Sequence, residues 1–109
     1  MPDVMGEIDI SAEILSQAKF TLLACLESKA RAERQIEALS TVAARFGERL
    51  RVFVVEEGDV PGLRSRLNVL GTPTFLLFHG GREQNRYLGE AESAALYTFV
   101  QQGLEHAAP

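Results

Sequence analysis

Polar and apolar positions change period several times along the 109 residues. Phe20-Thr-Leu-Leu-Ala-Cys-Leu26 is short and apolar on both sides, which predicts a strand buried on both faces. Arg51-Val-Phe-Val-Val55 and Thr74-Phe-Leu-Leu-Phe78 have the same character. Between the first two runs, Ala32, Ile36, Leu39, Ala43 and Phe46 recur at helical spacing, with Glu33, Arg34, Glu37 and Arg45 turned outward. This predicts a helix capped by Ser28 and stopped by Gly47. Ser11 caps a shorter helix over 12–18, with Ile14 and Leu15 facing inward. Glu56 to Gly62 is turn chemistry, and Leu63 to Leu67 makes at most two helical turns, ended by Asn68. His79-Gly-Gly-Arg82 is a hairpin turn, after which Glu83 to Leu88 returns as a polar antiparallel edge strand. The last helix runs from about Ala91 to His106, with Leu96, Phe99, Val100 and Leu104 on its inner face. Residues 1–7 read as a loose start and 107–109 as a frayed end.

The order is (β)α-β-α-β-α-β-β-α. Strand–helix–strand alternation implies parallel pairing, and the hairpin adds an antiparallel edge. The expected architecture is α/β: a mixed central sheet with a C-terminal antiparallel hairpin and helices on both faces. No repeat or linker interrupts it, so residues 1–109 are read as one domain.

Composition narrows the function. Hydrophobic residues make up 46% and charged residues 24%, an ordinary globular balance. A net charge of −4 without a long basic run argues against general nucleic-acid binding. One cysteine excludes an internal disulfide and a cysteine-based zinc site. No apolar run is long enough to span a bilayer, and no signal pattern opens the chain, so the expected location is cytoplasmic with no membrane partner.

Gly71-Thr-Pro-Thr-Phe-Leu-Leu-Phe78, then Gly80-Gly81, then Gly89 and a terminal amphipathic helix resemble the C-terminal half of thioredoxin. Val60-Pro-Gly62 stands where that family has a similar turn. The two patterns run together from Phe20 to Leu104 without a gap, and the first nineteen residues fit less well. The resemblance implies the thioredoxin fold and a cis peptide bond at Thr72-Pro73.

The departure from the family bears on function. The ungapped register sets Ser28-Lys29-Ala30-Arg31-Ala32-Glu33 on the thioredoxin Trp-Cys-Gly-Pro-Cys-Lys motif, so Lys29 and Ala32 replace both redox cysteines. The family's buried acid falls on Leu23 and its lysine neighbour on Val54. Lys29 also puts a cation at a helix start, whose dipole favours anions by a few tenths of a kcal/mol or more. Dithiol–disulfide oxidoreductase activity is therefore not expected, and no cofactor or metal site is called for.

Cys25 reads first as a small buried hydrophobe, and second as a partly exposed thiol able to form a mixed disulfide that this chain cannot resolve. Lys29, Arg31 and Arg34 read as a solvated helix face, or as a basic cluster that selects a carboxylate-bearing partner. Glu56, Glu57 and Asp59 form an acidic turn without metal-loop spacing, and His79 and His106 lack ligand partners at useful spacing.

The leading functional expectation is a non-catalytic thioredoxin-fold protein that binds a protein or peptide partner, as an adaptor or chaperone-like factor. Thioredoxin-fold proteins without the cysteine pair include co-chaperones and hydrogenase-maturation factors, and this chain is similar in that loss. In thioredoxins the backbone before the proline pairs with an extended segment, a form of strand addition. The resemblance puts the corresponding surface on Ser28 to Arg31, Gly71, Thr72, Pro73, Leu88, Gly89 and Glu90. The alternatives are residual thiol redox through Cys25 and a structural subunit of a larger assembly. A homo-oligomer is compatible with all three.

Overall fold

The computed structural model describes residues 3–4, 20–28, 32–56, 62–80 and 82–106. Its strands are β1 (Asp3–Val4), β2 (Phe20–Leu26), β3 (Leu50–Glu56), β4 (Thr74–His79) and β5 (Arg82–Leu88). Its helices are α1 (Glu33–Phe46), α2 (Leu63–Leu67) and α3 (Ser93–His106), with a single 3₁₀ turn at Gly47–Arg49. The sheet order is β1-β3-β2-β4-β5. β1 and β2 lie parallel to β3, whereas β4 runs antiparallel to both β2 and β5.

The central strands are buried on both faces, as their continuous apolar runs require. Leu22, Ala24 and Leu26 of β2, Leu50, Val52 and Val54 of β3, and Phe75 and Leu77 of β4 join α1 and α3 in one core. Leu23, Cys25, Phe53, Val55, Leu76 and Phe78 point to the opposite face, where Val69 and Leu67 of α2 pack. Helices thus contribute to both faces. Each fully buried Leu or Val side chain contributes about 1.5–3 kcal/mol.

Several boundaries differ from the sequence reading. Asp3–Val4 pairs with Phe53 and Val54 as a sheet edge, so the start of the chain is not loose throughout. α1 begins at Glu33, not behind Ser28, because Ala32 leaves helical geometry (φ −119°, ψ 28°). Its buried line is Gln35, Ala38, Leu39, Val42 and Phe46, while Ile36 and Ala43 are half-buried on its flank. That face is rotated because Gln35 is drawn inward by a hydrogen bond described below. α3 begins at Ser93 rather than near Ala91, its first turn closed by Leu96 N–H donating to the Glu92 carbonyl (3.0 Å). Its buried line includes Gly103, and Leu104 is only half-buried. The expected helix over 12–18, Glu57, Asp59, Val60, Pro61 and Gly81 lie outside the described residues.

Candidate functional site

The loop from Val69 to Pro73 carries the site and is held from both ends. Thr72-Pro73 is a cis peptide bond. The Thr74 hydroxyl donates to the Gly71 carbonyl (2.6 Å), and Gly89 N–H donates to the Pro73 carbonyl (2.9 Å). The Gly89 backbone has φ 96°, a conformation that glycine adopts without strain. At the near end, Arg86 reaches across from β5. It donates to the carbonyls of Leu67 (2.7 Å) and Asn68 (3.0 Å) and grips Glu83 with both carboxylate oxygens (2.6 and 2.7 Å). The Glu83 hydrogen bond raises the Arg86 pKa above its ordinary value, against a smaller opposing effect of burial. A bulge between Leu77 and Phe78 in the β4–β5 ladder precedes Arg86 on β5, which then faces Leu76 on the α2 side.

Two open clefts flank Pro73. One, about 410 Å³, lies between Leu26, Ser28 and Ala32 on one wall and Thr72, Pro73 and Glu90 on the other. The second, about 400 Å³, is bounded by Leu70, Gly71, Thr72, Leu88 and Gly89 over Arg86. Leu70 and Leu88 are 94% and 69% exposed, the large apolar side chains most open to solvent among the described residues. Among the described residues no hydrogen bond reaches the main chain of Thr72, which lies between the clefts.

The sequence-predicted residues separate accordingly. Ser28, Ala32, Thr72, Pro73 and Glu90 share the first cleft, and Gly71, Leu88 and Gly89 meet Thr72 and Pro73 in the second. Lys29, Ala30 and Arg31 lie outside the described residues. Cys25 is 4% exposed and packs on the α2 side of the sheet among Leu23, Val55 and Val69, paired across the ladder with Thr74 and lining neither cleft. Leu23 and Val54 are fully buried and belong to opposite faces of the sheet. Among the described residues no three His, Cys, Asp or Glu converge as metal ligands.

Three residues of the site escaped the sequence reading. Leu70 had a signal: a large apolar residue set in turn chemistry. Arg86 had none, because its role depends on a bulge. Gln35 also had none; its side-chain oxygen accepts the Ala91 N–H (3.1 Å) across 56 residues, and both residues are buried.

No family model and no curated protein matches the chain. Solved structures do. An oxidised thioredoxin from Plasmodium falciparum superposes with a TM-score of 0.80 at 16% identity, over 94% of this chain and 97% of that one. Chloroplastic thioredoxin z gives 0.78 at 18% identity, over 95% of each chain. A designed protein gives 0.76 at 18% identity, over 99% of this chain and 95% of that one. The chain therefore has the thioredoxin fold.

Proposed function

We propose that this chain is a non-catalytic thioredoxin-fold protein that binds an extended segment of a protein partner, as an adaptor or chaperone-like factor in the cytoplasm. The observation that carries the reading is the main chain of Thr72, which no hydrogen bond reaches among the described residues, set between exposed Leu70 and Leu88. An extended segment can add to such a backbone while placing apolar side chains on the two leucines. Both leucines border the same cleft beside Thr72, so their apolar surface is available to a partner there. Redox turnover has no support from the residues. The motif cysteines are absent, and the single thiol is buried where a disulfide substrate has no access.

The test is capture from a lysate of the native cell on immobilised protein, compared across variants. Leu88→Asp is expected to abolish capture and Cys25→Ser to leave it intact. In parallel, insulin reduction with dithiothreitol should not exceed the uncatalysed rate. Capture indifferent to Leu88→Asp, or turnover that vanishes in Cys25→Ser, would reject the reading.

A further inference from the structure

The first cleft does not end at Glu90. Arg34, Gln35 and Glu90 also border a further cleft of about 470 Å³, which runs between α1 and the start of α3 past Glu37, Glu92 and Ser93. The two form one groove leading away from Pro73. Its rim carries Glu27, Glu33, Glu37, Glu90 and Glu92 against a single described cation, Arg34.

Gln35, 7% exposed, borders both clefts. Its amide orientation is fixed, because only the oxygen can accept the Ala91 N–H. Nε2 therefore points the other way. It has no acceptor among the described residues, yet it is not sealed off, since Thr21 Oγ1 is the buried side-chain atom that is both sealed and unpartnered. The open space bordering Gln35 is the groove. An amide with two unused donors bordering a cleft can donate to an acceptor that a ligand supplies in place of water. In an extended peptide that acceptor is a main-chain carbonyl.

We propose that the segment bound at Pro73 continues over Gln35 and carries a lysine or arginine. Gln35 Nε2 donates to a main-chain carbonyl of the segment, and its basic side chain lies between Glu90 and Glu92. This rests on the peptide-binding reading above and adds the chemistry of the partner. Charge complementarity sets the choice among segments, while the apolar contacts at Leu70 and Leu88 tolerate many.

The probe is a phage-displayed library of random twelve-residue peptides panned on the full chain. Selected peptides are expected to share one Lys or Arg at a constant distance from an apolar residue. Binding of the consensus peptide is then read by fluorescence anisotropy. Glu90→Gln and Glu92→Gln should each weaken it about three- to fivefold, less so at high salt. A norleucine analogue of the basic residue should be insensitive to both substitutions but still weakened by Gln35→Met. Glu90→Gln and Glu92→Gln keep the test independent of whether Gln35→Met folds. Selected peptides that depend on Leu88 yet lack a basic residue, or ignore the two glutamates, would overturn this proposal and leave peptide binding standing. Peptides indifferent to Leu88→Asp as well, or no enrichment at all, would overturn both.

Discussion

The guanidinium of Arg86 on β5 donates to the carbonyl of Leu67, the last residue of α2, at 2.7 Å and nineteen positions away in the chain. That contact fixes where the loop to Pro73 departs. A short helix has unsatisfied carbonyls at its end, and here a side chain from the opposite edge of the hairpin satisfies them.

Arg86→Met should lower stability by about 1–2 kcal/mol, the cost of charge-assisted bonds to two carbonyls and a carboxylate at a partly exposed site. Arg86→Lys should recover less than half, because a point ammonium cannot reproduce the fork that spans Glu83, Leu67 and Asn68. Urea denaturation measures both. Equal midpoints for wild type and Arg86→Met would show that the clamp contributes nothing.

Gln35→Met should cost about 1–3 kcal/mol, since it leaves the buried Ala91 N–H without an acceptor. Hydrogen exchange should localise the loss: the Ala91 amide should exchange faster, whereas amides in β2 and β3 should change only with global stability. Protection of Ala91 that survives the substitution would place the bond's role elsewhere.

Thr21→Val should stabilise the fold by about 1 kcal/mol. Thr21 is 1% exposed and its hydroxyl has no partner among the described residues, so its burial carries an uncompensated desolvation cost. Valine has the same shape without that cost. Thermal melting of the two proteins decides the sign, and a lower melting temperature for the valine variant would contradict the account.

Gly103→Ala should destabilise, although alanine favours helix over glycine by about 1 kcal/mol. A Cβ at Gly103 would collide with Cδ2 of Leu77, a fully buried side chain whose displacement would disturb the core around it. Overpacking of this kind costs about 1–3 kcal/mol. Leu77→Val removes the opposing atom, so the double variant should be more stable than the two single losses added together. Strict additivity would mean that the helix shifts instead of clashing.

Cys25 should react with Ellman's reagent only through opening of the structure. It is 4% exposed beneath the sheet, so its rate should track urea concentration below the unfolding midpoint. Rapid labelling in native buffer would reveal an accessible thiol and revive a redox role.

Much of the architecture followed from local pattern. Continuous apolar runs such as Leu22 to Leu26 and Phe75 to Phe78 suit only strands covered on both sides, and the glycine pair after His79 suits only a tight return. That this chain cannot close an internal disulfide was equally legible, since it has one cysteine. The burial of Cys25 was also the reading its apolar neighbours favoured.

The working parts of the site were decided by tertiary contacts. Gln35 breaks the apolar stripe of α1, and only the arrival of Ala91 from 56 residues later explains why a polar side chain lies inside. Arg86 reads as one more polar residue on an edge strand until a bulge re-aims it at the end of α2. Gly103 is a weak helix residue until the sheet places Leu77 against it. Periodicity reports which face of an element is apolar. It carries no information on which distant backbone group will need a partner, because that depends on how the elements meet in space.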